Sequence, residues 1–355
     1  MLGRLVDPRS RPGVRHRAAG LVAVAVAAMS AGMRGFTAIG QWVAAVDPDV
    51  LAGLGLAGRA DESTFRRLFA ALDADLLDRL LGVWAATRAG TVEGRRVIAI
   101  DGKTVRGART RARTAPHLVA ALAHGSGLVL GQVATPDKGG EIIAARDLLD
   151  VLDCSAGLAG AVVTMDALHA QHATAARLVA AGADYVLTVK GNQPTLFGRL
   201  KRLPWKDVHA STRSERTRGR RVTRTIKVVQ VPDWIEFTGA AQVAQLRRIV
   251  TRGGKKTVEV AYLVTSADVR AAPPQVLAAW VQSHWHIENR LHWVRDVTFG
   301  EDASRIRAGV APRVMATLRS LVIGLLRLAG WTNIAAGLRH HARHDQPAAN
   351  LVLTA

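Results

Sequence analysis

The sequence predicts an α/β chain: a mixed sheet preceded by a helical domain and interrupted by a β-rich insertion. Three observations carry that reading. Up to residue 90 the apolar residues recur at helical spacing, and after Gly94 the period changes to that of strands. Three strand-like runs then follow one another before strands and helices alternate, the signature of a mixed sheet. Finally, residues 200–265 return to strand-like alternation, densely loaded with arginine.

Residues 1–90 form the predicted helical domain. The apolar run Ala18–Met33 is followed by Phe36, Ile39, Trp42, Val43 and Val46 at helix-like spacing, stopped by the Asp47-Pro48 turn. Asp61 or Ser63 can cap DESTFRRLFAAL, and Asp73 can cap DADLLDRLLGVWAA. Short helices bearing Arg66 and Arg67 suit either a DNA-binding helix-turn-helix or a packing and dimerising module. The Ala18–Met33 run is short and diluted by Ser30 and Gly32, so it reads as a buried helix rather than a membrane span or signal peptide.

Residues 91–199 carry the sheet. RRVIAIDGKTV is a buried strand that ends in Asp101, HLVAALA (117–123) and GLVLGQVAT (127–135) make a hairpin, and Glu141–Leu152 is helical. AGAVVTMDA (159–167) is a strand that again ends in an acid, Asp166; a helix over 169–181 and a strand over 183–193 ending in Lys190 complete the order β-β-β-α-β-α-β. If the strands of Asp101 and Asp166 are neighbours, their carboxylates can meet. Residues 200–265 read as a small β insertion whose basic edge, with Arg213, Arg216, Arg218, Arg220, Arg221, Arg224 and Lys227, is suited to phosphate contact. Residues 266–330 return to helix, from Pro274 through Val297 and over Ala311–Leu328, and 331–355 lack periodicity and read as a loose tail.

Within HWHIENRLHWVRDVTFGED (284–302), α-helical spacing aligns Glu288, His292 and Arg295 on one face, and Trp285 and Trp293 read as core anchors. Asp101, Asp166 and Glu288 are far apart in sequence, so only folding can unite them. Gathered carboxylates repel and call for divalent cations, for which Mg²⁺ is the natural hard ion. Two such ions can promote in-line attack on phosphorus. The formal net charge of +20 adds a polyanionic partner, most simply nucleic acid. Asp296, Glu301 and Asp302 are rival acids for the third position. Cys154 is the sole cysteine, so neither an internal disulfide nor a cysteine-based zinc site can form, and a reducing cytosol is the expected compartment.

These residues resemble insertion-sequence transposases of the DDE type, in the group that includes the H-repeat-associated proteins. The resemblance rests on AIDGKTVRGA (99–108), HLVAA (117–121), VLGQ (129–132), TMDALHAQ (164–171), DYVLTVKGNQ (184–193) and the 284–302 segment. The opening DPRSRPGVRHRAAGLVAV and DESTFRRL (61–68) are similar to the helical domain that precedes the catalytic domain in that group. It implies a ribonuclease H-like core, with Asp101, Asp166 and Glu288 as catalytic and metal-binding triad for two Mg²⁺ ions, Mn²⁺ being the alternative. It implies cleavage at the element's ends and joining of the freed 3′-hydroxyl to target DNA. Asp101 would bridge both ions. Lys190, Asn192, His292 and Arg295 are expected to contact phosphate or terminal bases, alongside Arg218, Arg220, Arg221 and Arg224. Arg295 stands where relatives commonly have Lys, and Lys138-Gly139-Gly140-Glu141-Ile142 departs from the usual K-S-N-E-I. The implied partners are terminal inverted repeats and target duplex, engaged by a homodimer in the cytoplasm or nucleoid, with no membrane. A nuclease without strand transfer, and an inactive DNA-binding descendant, are the rival readings.

Overall fold

A computed structural model describes residues 2–9, 14–217, 219–343 and 345–354. Five helices come first: α1 (Ala18–Ser30), α2 (Phe36–Ala45), α3 (Pro48–Gly53), α4 (Glu62–Ala71) and α5 (Ala74–Ala86). Then come β1 (Val97–Thr104), β2 (His117–Ala123), β3 (Val129–Thr135), α6 (Glu141–Ala156), β4 (Val162–Met165), α7 (His172–Ala180), β5 (Asp184–Val189) and α8 (Pro194–Arg202). The insertion supplies β6 (Ala210–Thr217), β7 (Arg220–Gln230), β8 (Gln242–Arg252) and β9 (Lys255–Thr265). Helices α9 (Pro274–His284), α10 (Ala311–Leu328), α11 (Ile334–His341) and α12 (Asp345–Leu353) close the chain. The chain divides into two compact units. One comprises Met1–Gly90, Gly102–Ala156 and His286–Ala355; the other comprises Thr91–Asp101 and Gly157–Trp285.

In the first unit α1 is apolar on every side, and Leu21 to Met29 are buried without exception. A helix with no polar face belongs inside a bundle. Gly20 permits that approach, because a Cβ there would run into the carbonyl of Gly55. The aspartates predicted as caps act unequally. Asp73 Oδ1 accepts from Leu76 N at 2.8 Å, whereas Asp61 precedes α4 without a side-chain bond to it. β2 and β3 pair antiparallel, His117 opposite Thr135, and every residue of β2 is buried. Residues 331–355 are not a loose tail: α11 and α12 occupy most of them, with Asn333 Oδ1 capping Ala336 N at 3.1 Å and Ala348 and Ala349 buried. Two short helices show too few turns for their period to be read in sequence.

In the second unit the strand order is β1-β4-β5-β9-β8-β7-β6. β1, β4 and β5 are parallel, and β9, β8, β7 and β6 follow as an antiparallel meander. The core runs beneath the sheet from Val97, Val162 and Val186 to Ile226 and Leu263, covered by Leu277, Trp280 and Val281 of α9. On the other side of β1 in the strand order stand β2 and then β3. The order 3-2-1-4-5, with an antiparallel hairpin on one flank and parallel strands on the other, is the ribonuclease H-like arrangement that the resemblance implies. Among the described residues, no helix is long and apolar enough to cross a membrane.

Close packing of α5 on β3 depends on Gly82, where a Cβ would meet the carbonyl oxygen of Leu130. Neither backbone can yield cheaply, so Gly82→Ala is expected to cost about 1–3 kcal/mol. Urea denaturation measures it, and a wild-type midpoint would mean that the two backbones are not in contact.

Candidate active site

Asp101 and Asp166 are delivered by neighbouring parallel strands. β1 and β4 pair in register from Val97 opposite Val162 to Ile100 opposite Met165. Each acid is therefore the next residue after the last registered pair. Neighbouring strands lie about 5 Å apart, and residues at the same register share a face. Past β4 the chain leaves the sheet: Asp166 turns into a short 3₁₀ segment, Ala167–His169, and its Oδ1 accepts from Leu168 N at 2.9 Å. Asn192 reaches from the turn after β5 and donates to the Ala167 carbonyl at 2.5 Å, tying that turn to the segment beside Asp166. His284, at the end of α9, lies with Nδ1 2.9 Å from Thr164 Oγ1. Burial drives its pKa down to about 4, against the upward pull of the Asp166 charge.

Glu288 belongs to the other unit, on a segment that is wound as π-helix over Ile287–His292 and again over Val294–Thr298. The side chain of Glu288 is 60% exposed, and His292 Nδ1 donates to its Oε2 at 3.2 Å. That bond, with the charges of His292 and Lys103, holds the Glu288 carboxyl below its ordinary range. Lys103 follows Asp101 by two positions on β1. Its ammonium is 2.6 Å from Asp296 and 3.8 Å from Asp302, so the first of the rival acids serves an ion pair.

Arg295 is not on the face of Glu288. A π-helix bonds i to i+5 and winds wider than an α-helix, so seven residues no longer return to the starting side. Arg295 is fully buried and donates from Nε and Nη2 to Glu301, which also accepts from Arg319 at 3.0 Å. Burial pushes the Glu301 carboxyl up, but the two guanidinium charges outweigh it and hold it low. Arg295 is thus corrected from a DNA contact to an internal strut. His292 is likewise buried, at 3% exposure, with its Nδ1 against Glu288. Trp285 and Trp293, expected in the core, are 61% and 55% exposed.

Sequence reasoning missed the support of β1. His117 Nε2 donates to Glu141 Oε2 at 2.7 Å, both side chains being buried, and Thr104 Oγ1 is 2.9 Å from His117 Nδ1. Gly102 lies so close that a Cβ would strike the His117 ring and come within 2.6 Å of the Glu141 carboxyl carbon. The glycine after Asp101 is a packing requirement as well as a turn signal. Glu141 of the variant 138–142 motif could have flagged this pair.

The insertion sorts its arginines by face. Arg224 pairs with Glu215 at 2.6 Å and Arg248 with Glu259 at 2.9 Å, and the alternation of strands puts Arg220 on their side. The opposite face carries Arg216, Arg221, Arg247 and Lys256, all exposed, among threonines and serines, and it holds no acid. Of the expected contacts, Arg221 is on the acid-free face and Arg224 is committed to Glu215. Lys190 is exposed, and Arg218 lies outside the described residues. Arg247 and Lys256 were not anticipated.

Two expectations follow. Removing the charge of Glu301 leaves two buried guanidiniums uncompensated, so Glu301→Gln is expected to cost about 3–5 kcal/mol by urea unfolding; a loss below about 1 kcal/mol would refute the strut. His284 stays neutral in the fold down to about pH 4, whereas in the unfolded chain it takes a proton below its ordinary 6.5. The unfolded state then binds more protons, and stability falls as pH drops through that window, by up to about 3 kcal/mol. Denaturation midpoints across the window test this: His284→Gln should flatten the slope, and an unaltered slope would exclude His284 as its source.

The model of the "Transposase DDE domain" matches residues 93–325, and that of the domain described as "DDE_Tnp_1-associated" matches residues 1–85. Among curated proteins, the "H repeat-associated putative transposase YhhI" of Escherichia coli K12 is 33% identical over 70% of this chain and 68% of its own length. The "Putative transposase YncI" of Escherichia coli O157:H7 is 32% identical over 75% of this chain and 70% of its own. A looser likeness, at 10% identity and a TM-score of 0.43, covers 94% of this chain and 71% of a piggyBac transposase solved in a synaptic complex with hairpin DNA. With a family model spanning the strands of Asp101 and Asp166 and the segment of Glu288, the chain belongs to the DDE transposase family.

Proposed function

We propose that this chain is an active DNA transposase that cuts at the ends of its element and joins the freed 3′-hydroxyl to target DNA. Asp101, Asp166 and Glu288 are its metal-binding triad. The observation that carries the reading is the register of β1 and β4, whose last pair, Ile100 opposite Met165, is followed on each strand by an acid. Like charges so placed favour a divalent cation. The donor set fits a hard ion: three carboxylates, with Glu288 kept ionised by His292. Bound Mg²⁺ or Mn²⁺ would supply activation of the attacking water or hydroxyl and stabilisation of the departing oxygen.

The protein's own groups then have distinct tasks. Asp101 and Asp166 offer oxygens from a rigid sheet end, and the Asn192 bond to Ala167 steadies the turn beside them. His292 orients Glu288 and holds it in its acceptor form. Exposed Trp293, five residues after Glu288, offers a ring on which a base can stack. The acid-free face of β6–β9 takes up duplex phosphates, with Lys190 as a further contact. The partners are accordingly the terminal repeats and target duplex, with the chain at work as a homodimer in the cytoplasm or nucleoid.

Asp101→Ala, Asp166→Ala and Glu288→Gln are each expected to abolish Mg²⁺- or Mn²⁺-dependent cutting of DNA that carries the element's terminal repeats, with unfolding midpoints kept. Retention of wild-type cutting by all three would refute the triad. A target plasmid in the same reaction reads the second step: cut ends that never appear joined would leave a nuclease without strand transfer.

A further inference from the structure

A groove of about 720 Å³ runs within the first unit, between α2 and α4 on one side and the loop 299–308 on the other. The loop is held from behind. Glu301 is clamped by Arg295 and Arg319, and Gly107 packs so tightly that a Cβ would come within 2.6 Å of the carbonyls of Glu301 and Ser304. From this base Arg305 and Arg307 emerge exposed into the groove. Arg307 spends its Nε on the Gly107 carbonyl at 3.1 Å, which fixes its stem. The facing wall offers Arg34, whose guanidinium lies beside Gly300, and the exposed Thr37.

The charges do not cancel. The groove's lining includes one acid, Glu62, which Arg66 occupies at 2.6 Å. Among the described residues neither Arg34 nor Arg305 makes an ion pair. Three arginines thus line one concavity without a counter-charge, which costs self-repulsion that a polyanion relieves. The guanidinium fork matches phosphate oxygens in pairs, where a lysine offers a point charge. Arg305 and Arg307, two residues apart, can span up to about 7 Å of chain, on the scale of successive phosphates along one strand. A concave, two-walled channel suits a single strand better than the broad face of a duplex.

We infer that this groove binds the phosphodiester backbone of one DNA strand through Arg34, Arg305 and Arg307. The identity of the polyanion rests on the transposase reading; the existence of the site does not rest on the triad. Binding of a fluorescein-labelled single DNA strand is measured by anisotropy over a range of salt. Arg305→Ala should weaken binding and reduce the slope of log affinity against log salt by about 0.7, and Arg34→Ala with Arg305→Ala by about 1.4. Arg305→Lys should keep the slope while losing part of the affinity. Unchanged affinity and slope in the double variant would overturn the groove and leave metal-dependent cutting by the triad standing. Absence of salt-dependent binding to any DNA by the unaltered protein would overturn both. A loss confined to an RNA strand of the same sequence would overturn the assignment to DNA.

Discussion

The arrangement depends on one pairing, that of β1 with β4. The strands are parallel and in register up to Ile100 opposite Met165, so Asp101 and Asp166 each follow the last registered pair, β1 running on to Thr104 while the chain leaves the sheet after β4. A sheet built only for stability would place an acid and a base at such a pair of ends. Here both positions carry an acid, Asp101 on β1 and Asp166 just after β4. Val97 to Ile100 and Val162 to Met165 are buried on both faces, as parallel strands in the middle of a sheet are.

The Glu288 segment solves a different problem. It must present a carboxylate to solvent and also anchor itself. An α-helical winding would align Glu288, His292 and Arg295, and the cation would then compete with any metal for the glutamate. The wider π winding separates them. His292 stays with Glu288, and Arg295 turns into the protein, where it meets Glu301 together with Arg319. A buried cluster of this kind adds little net stability, but it cannot be rearranged cheaply, since each broken pair strands a charge. It therefore fixes where the helix ends and where the loop after Gly300 begins.

Much of this was legible because it is local. Strand-length apolar runs ending in acids located Asp101 and Asp166, and the Gly125-Ser126-Gly127 turn marked the β2–β3 hairpin. Strand order was not legible, because adjacency of β1 and β4 is a long-range fact with no trace in either segment. The placement of Arg295 failed because an α-helical period was assumed where the backbone takes another. Trp285 and Trp293 were assigned to the core on residue type alone, and apolar type does not forbid exposure. The His117–Glu141 pair is made by residues 24 apart whose contact requires the closure of β2 against α6. No periodicity announces such a pair.

Net charge proves a blunt instrument for the same reason. Counted in sequence, every arginine contributes equally to the excess of +20. In the fold, Arg295 and Arg319 are buried against Glu301, and Arg224 and Arg248 are neutralised by glutamates on their own sheet. The first two are sealed inside the protein, and the other two already face an acid. Arg221, Arg247 and Lys256 on the insertion, by contrast, are exposed on a face without an acid. An excess of base thus argues for a polyanionic partner, but the number of phosphates engaged follows from where the acids sit. Glutamates on one face of the insertion, and none on the other among the described residues, give the β-sheet a single side on which a polyanion is favoured.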